Sequence, residues 1–168
     1  MASPSRGVKW DGIISHKMAR FIATGLGSGL VPFAPGTAGS LVALLLGWFM
    51  YVYGGSTAIW IAFLLTVPIA FFACAKVLTS IKDRDPSWIV IDEWLGQWVC
   101  LGIITLFFSL DPGLLFASFV AFRLLDIIKP WPVSWAEHHG PIWWSIHADD
   151  LVAGLLAGLI LVLVRSLG

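Results

Sequence analysis

Apolar residues run along this chain in long continuous blocks rather than in alternation. Five such stretches occupy about 40–53, 57–78, 88–110, 114–128 and 151–164. A bilayer span needs roughly 20 apolar residues, with about 17 as a lower limit. The second and third stretches reach that length, and the others do so only if their polar ends lie among headgroups. Continuous runs of this kind predict helices and exclude a membrane β-barrel, which would show short alternating segments. The predicted fold is all-α: a polytopic helical bundle integral to a membrane, with four to five spans in a single domain over 1–168.

Residues 16–31 are mildly apolar behind Lys17 and Arg20. Thr24, Gly25, Gly27, Ser28 and Gly29 interrupt the apolar core that a cleaved signal needs. An interfacial or half-inserted helix is therefore expected here, preceded by a flexible tail over 1–15. Gly154 and Gly158 are spaced for close helix packing in lipid. Arg6, Lys9, Lys17 and Arg20 precede the first span, Lys76, Lys82 and Arg84 separate the second from the third, and Lys129 follows the fourth. The intervening connections carry no basic residue, so the N-terminus and the two basic connections are expected on the cytoplasmic side. Arg165, near the C-terminus, dissents weakly from that assignment.

Composition agrees. Hydrophobic residues make up 58% of the chain and charged residues 12%, about half the share of a soluble domain. Seven of the ten tryptophans, Trp48, Trp60, Trp88, Trp131, Trp135, Trp143 and Trp144, flank the connections between apolar stretches, where indole rings favour the headgroup level. Net charge is zero, so there is no basic excess for nucleic acid. Cys74 and Cys100 lie in apolar runs without metal-ligand spacing and read as small buried hydrophobes.

The acids converge. Asp92 and Glu93 sit about one turn into the third span, and Arg123, Asp126 and Lys129 share a face at the end of the fourth. Asp149 and Asp150 open the fifth, where capping reads as well as catalysis. All fall at one membrane face, whereas Asp111 lies at the other. Ionisable groups in spans are costly and point to function. A structural reading pairs Arg123 with Asp126 and Glu93 with Lys129. Against it, five acids face two bases, and clustered carboxylates repel unless a cation joins them. A hard divalent ion with oxygen ligands, most simply Mg²⁺, meets that need. Asp92, Glu93, Asp149 and Asp150 are the expected metal ligands, with Asp126 completing the catalytic acids. Arg123 and Lys129 then remain for a phosphate.

A Gly/Pro-rich segment, Gly25-Leu-Gly-Ser-Gly29 followed by Pro32-Phe-Ala-Pro-Gly-Thr-Ala-Gly-Ser40, lies on the same side. Its backbone at Gly36 and its Thr37 and Ser40 hydroxyls suit a phosphate near a helix start; the plainer reading is a turn with an N-cap from Thr37 or Ser40. No Gly-Lys-Ser/Thr follows, so it is not a P-loop. His138 and His139 read as surface, and His147, two residues before Asp149, is the one histidine worth testing. Asp83-x-Asp85 matches the nucleophile pattern of soluble phosphatases but reads as a solvated loop.

Four blocks in order then carry a resemblance. They are Gly27-x-Gly29-x-x-Pro32-x-x-Pro35-Gly36-Thr37-x-Gly39-Ser40, Ile91-Asp92-Glu93-x-x-Gly96-Gln97, Phe122-Arg123-x-x-Asp126-x-x-Lys129-Pro130-x-Pro132 and Asp149-Asp150-x-x-Ala153-Gly154. The chain resembles the phosphatidylglycerophosphatase A family of bacterial membrane enzymes. The resemblance implies Mg²⁺-dependent removal of the terminal phosphate of phosphatidylglycerophosphate at the inner membrane, with a phospholipid substrate. One departure is Pro141-Ile-Trp-Trp-Ser-Ile-His-Ala148, where a Gly-rich approach to Asp149 is expected. Three rivals remain. A divalent-cation transporter or channel would hold its carboxylates near the midplane. A non-catalytic subunit would lose no activity when the acids are neutralised. A phosphatidyltransferase would carry Asp-x-x-Asp-Gly, which is absent.

Overall fold

The computed structural model describes residues 14–81, 86–140 and 142–168. The expected tail therefore falls almost entirely outside the described residues, as do Asp83, Arg84 and Asp85. The described elements are all helical: α1 (His16–Ala23), a short 3-10 turn (Ser28–Leu30), α2 (Pro35–Leu78), α3 (Ile91–Phe107), α4 (Pro112–Ile128), α5 (Val133–His138) and α6 (Ile142–Leu167).

α1 is shorter than the stretch expected to form it. Ser15 caps it, its Oγ accepting from the Met18 amide at 3.2 Å. It stops at Thr24 because Gly25, Leu26 and Gly27 all take positive φ. Ala19 and Ala23 are buried, while Met18 and Phe21 stand about half exposed, as an amphipathic interfacial helix requires.

α2 joins the first two expected spans. It starts at Pro35, earlier than apolarity alone indicated, since a proline suits the first helical position. Helical structure continues through the expected connection and is broken only at Gly55, with φ 64° and ψ −164°, a conformation that glycine adopts without a Cβ penalty. The two limbs then lie against α3 in opposite senses. On the first limb, Ala43 accepts from Trp98 Nε1 at 2.9 Å and Gly47 packs on Leu101. On the second, Trp60 packs on Gly102 and Ser56 Oγ accepts from Thr105 Oγ1 at 2.8 Å. Gly55 thus turns α2 back into a hairpin around α3.

α3 is the centre of the bundle, with most of its side chains buried. α6 runs beside it in the same direction. Gly96 meets Gly154, and Ile103 meets Gly158, with no room for side chains between the backbones. α4 starts at an Asp111 cap, whose Oδ1 accepts from Leu114 N at 2.8 Å, and ends at Lys129 in a left-handed conformation (φ 48°). α6 begins at Ile142 rather than at the expected acids, so Asp149 and Asp150 lie about two turns inside it. They are not capping residues.

Among the described residues, two helices are long and apolar enough to cross a membrane, Pro35–Leu78 and Trp144–Leu167. α3 and α4, at 17 residues each, sit at the short end of the range for a span, about 17–25 residues. By this measure the expected four to five spans are met only in part. The outer faces carry exposed Leu64, Leu65, Phe116, Leu163 and Val164, an apolar exterior rather than a watered one.

Candidate active site

One end of the bundle holds a cavity of about 760 Å³. The first turns of α2 and α3, the last turns of α4, the second and third turns of α6 and the short α5 surround it. Because α6, α3 and the first limb of α2 run in one direction and α4 in the other, their polar ends meet at one level.

Asp92 and Glu93 enter from α3 and Asp150 from α6. One carboxylate oxygen from each lies within 4.8 Å of the other two. Asp92 Oδ1 accepts from the Glu93 amide at 3.0 Å. Glu93 Oε2 and Asp150 Oδ1 are buried and have no hydrogen-bond partner among the described residues. Buried carboxylate oxygens without donors are expensive, and three in one place repel. An all-oxygen donor set with orphaned atoms fits a hard divalent cation. Asp149, expected as a fourth ligand, stands beside this trio. Its Oδ2 accepts from Lys129 Nζ at 2.7 Å, while its Oδ1 is buried and unpartnered.

The bases are paired differently from the expectation. Arg123 Nη1 is 2.7 Å from Asp126 Oδ2 and 3.7 Å from Glu93 Oε1, so the Arg123–Asp126 pair of the rival structural reading forms, and Arg123 also spans to α3. Lys129 does not pair with Glu93. Its Nζ sits between Asp149 and Glu137, at 2.7 and 2.6 Å, in the lining of the cavity. Burial by itself would lower the Lys129 pKa, but hydrogen bonds to Asp149 and Glu137 outweigh it and hold the ammonium above the ordinary lysine range. The sequence reading missed Glu137. It is the acid of the connection between α4 and α6, on a turn of α5 that places it over Lys129; its one signal was being a lone acid in a segment otherwise read as surface.

The Pro35–Ser40 half of the Gly/Pro-rich segment reaches the cavity. The cap of α2 is Ala34, in left-handed geometry and without a side-chain bond, so neither Thr37 nor Ser40 is the N-cap. Pro35, Gly36 and Thr37 line the cavity, and the first-turn amides of Gly36 and Thr37 precede the intrahelical ladder. A methyl group on Gly36 would collide with Glu93 Oε1 and approach Arg123 Nη2 to 3.2 Å, so any side chain here would have to displace the Glu93 carboxylate from the helix start. Ser40 Oγ donates to the Gly36 carbonyl at 2.8 Å and accepts from Arg123 Nη1 at 3.3 Å. The Gly25–Gly29 half lies elsewhere. Gly29 abuts the Trp88 backbone, and the Ala23 carbonyl accepts from Val90 N at 2.9 Å, which positions the strand of chain leading into α3.

His138 lines the cavity rim and is largely exposed, and His147 is buried and stacked on Phe71 at 4.1 Å, away from the lining. Gln97 is also off the cavity and wholly buried, donating to Ser118 Oγ at 3.4 Å. Cys74 and Cys100 are buried free thiols.

Comparison with known proteins follows the same residues. The profile of the family described as Phosphatidylglycerophosphatase A matches residues 21–165. The Phosphatidylglycerophosphatase A of Escherichia coli (strain K12) is 33% identical over 85% of this chain and 81% of its own length. The protein of that name from Haemophilus influenzae is 31% identical over 86% of each. A Bacteroides thetaiotaomicron protein provisionally named a phosphatidylinositol-3-phosphatase is 35% identical over 86% of this chain and 91% of its own. No solved structure matches the chain. With the matched region enclosing every side chain that meets in the cavity, the chain belongs to the phosphatidylglycerophosphatase A family and is a phosphatase.

Proposed function

We propose that the chain hydrolyses the terminal phosphomonoester of phosphatidylglycerophosphate, in a Mg²⁺-dependent reaction at the cytoplasmic face of a bacterial inner membrane. The observation that carries this reading is the meeting of Asp92, Glu93 and Asp150 within 4.8 Å, with orphaned oxygens on Glu93 and Asp150 and a guanidinium beside them. Family membership supplies the reaction class. Asp92, Glu93 and Asp150 would hold the ion, with Asp149 as the adjoining carboxylate. A bound Mg²⁺ would offset the clustered negative charge and polarise the phosphoryl group.

The chain's own groups account for the rest. Arg123, fixed in place by Asp126 and Ser40, presents a planar set of donors suited to phosphoryl oxygens. The Gly36 and Thr37 amides at the start of α2 add donors and the positive end of the helix dipole. These groups act where negative charge grows in the transition state. Lys129 holds Asp149 in orientation and compensates its charge.

The helix directions support five crossings: the two limbs of α2, then α3, α4 and α6. The basic residues of α1 and Lys129 support the cytoplasmic side for the site. The transporter reading is less favoured, because Asp92, Glu93, Asp126, Asp149 and Asp150 gather around a cavity at one end of the bundle rather than near its middle.

The test is phosphate release by purified protein from phosphatidylglycerophosphate, phosphatidic acid and phosphatidylinositol 3-phosphate in mixed micelles, with Mg²⁺ or with EDTA. Release from the first, abolished by EDTA and restored by Mg²⁺, is expected. Equal rates with EDTA would remove the metal, and a preference for either other lipid would reassign the substrate.

A further inference from the structure

A second cavity, of about 500 Å³, opens at the same end of the bundle. His16, Lys17 and Arg20 line it from α1, Val77 from the last turn of α2, Ser80 and Ile81 from the chain just beyond, and Trp88 from the approach to α3. Its walls are tied together. Lys76 Nζ donates to the Ile14 carbonyl at 2.5 Å, which holds the start of α1 against α2. Val90 N donates to the Ala23 carbonyl at 2.9 Å, which holds the end of α1 against the approach to α3. This cavity is separate from the catalytic one. Pro86, Ser87 and Ile89 line the catalytic cavity, whereas Trp88 in the same segment lines the second.

Its charge is one-sided. At about 100° per residue, His16, Lys17 and Arg20 share one flank of α1, and among the described residues no Asp or Glu lines the cavity. None of the three takes part in an ion pair among the described residues. The Arg20 guanidinium lies over the Trp88 ring, 5.2 Å from its centroid. That stack uses the guanidinium face and leaves its in-plane N–H donors for an oxyanion. The rest of the lining, Val77, Ile81 and the Trp88 indole, is largely apolar. Met18 and Phe21 stand about half exposed on the adjoining flank of α1, and Leu30 and Phe33 are exposed just beyond it. Apolar side chains beside basic ones place such a helix at the boundary between headgroups and acyl chains.

We infer that this cavity binds the phosphate of an anionic phospholipid of the surrounding leaflet, distinct from the lipid being hydrolysed. Arg20 and Lys17 meet the phosphate oxygens, and Val77, Ile81 and Trp88 contact the glycerol and ester stem. Free phosphate would engage the basic half alone and leave the apolar half uncovered. Basic pockets at this membrane face are the ordinary means of recognising anionic headgroups, and the volume falls in the range of small-molecule sites, about 300–1,000 Å³. Binding here requires no turnover, so it stands or falls separately from the hydrolysis.

The experiment is native mass spectrometry of the detergent-purified protein with dioleoyl phosphatidylserine or dioleoyl phosphatidylcholine, neither of which carries a phosphomonoester. Phosphatidylserine is expected to bind about tenfold more tightly than phosphatidylcholine, whose quaternary ammonium meets the basic wall. Lys17→Gln combined with Arg20→Gln should remove that preference, and Arg123→Gln, in the catalytic cavity, should keep it. Arg20→Lys, which keeps the charge and loses the planar stack on Trp88, should retain part of it, and melting temperatures establish that each variant is folded. Millimolar inorganic phosphate should not displace the lipid; displacement would assign the cavity to free phosphate and overturn the lipid. Equal binding of the two lipids, an unchanged preference in the double variant, or a loss in Arg123→Gln as large as in the double variant would each overturn the site.

Discussion

Gly154 rests directly on the backbone of Gly96, so closely that a methyl group on Gly154 would run into the Gly96 carbonyl. This contact sets the distance between α3 and α6, and with it the distance between Asp92 and Glu93 on one helix and Asp150 on the other. Gly154→Val is therefore expected to cost about 1–3 kcal/mol by overpacking and to abolish phosphate release by separating the carboxylates. Thermal unfolding in detergent and activity at a permissive temperature check the two effects separately. A variant with unchanged activity would detach the helix contact from the site.

Asp150→Asn keeps shape and removes one charge of the trio. Its activity is expected to fall by about 100-fold or more, the scale on which single preorganised electrostatic groups act. Mg²⁺ affinity should fall with it, read by calorimetric titration of the purified protein. The same substitution at Asp111, at the far end of the bundle, should leave catalysis intact.

Arg123→Lys is expected to raise KM about tenfold while the protein stays folded. An ammonium is a point charge and cannot hold Asp126 and Ser40 while still offering a planar fork to phosphate. Steady-state kinetics with the lipid substrate, set beside the melting temperature, separates this from misfolding. A KM equal to that of the wild type would take Arg123 out of substrate binding.

Lys129→Met and Glu137→Gln should differ. The first leaves Asp149 buried without its cation, at a cost of roughly 1–3 kcal/mol once the partial exposure of Lys129 is allowed for. The second leaves the Lys129–Asp149 pair intact and should cost less than about 1 kcal/mol. Denaturant or thermal unfolding gives the order, and the reverse order would mean that Glu137 rather than Asp149 is the main partner of Lys129.

Much of the fold was legible because apolar runs report burial or lipid contact directly. The stretches at 57–78, 114–128 and 151–164 fall inside helices of the structure. Ends were less legible. Nothing in the apolarity of 40–53 shows that α2 begins at Pro35, whereas the reversal at Gly55 falls in the gap expected between the stretches 40–53 and 57–78. The start of α6 was hidden by Trp143, Trp144 and His147, which read as a loop until they are seen on a helix. At the site, Asp92 and Glu93 were legible as costly charges near a span end, whereas Asp149 and Asp150 read as well as caps of the last stretch. The grouping of Asp92, Glu93 and Asp150 into a trio, with Asp149 set aside for Lys129, was not legible.

The sequence by itself determined that this chain is helical, apolar on its outside and acidic at one end, because each of those properties follows from the order of side chains along single helices. Only the tertiary structure decided which acids face one another, that Lys129 belongs to Asp149 and Glu137, and that Gly36 yields its space to Glu93 and Arg123. Those outcomes depend on the direction, depth and spacing of helices far apart in the chain. Backbone contacts such as Gly96 against Gly154 set that geometry, and local spacing carries no record of it.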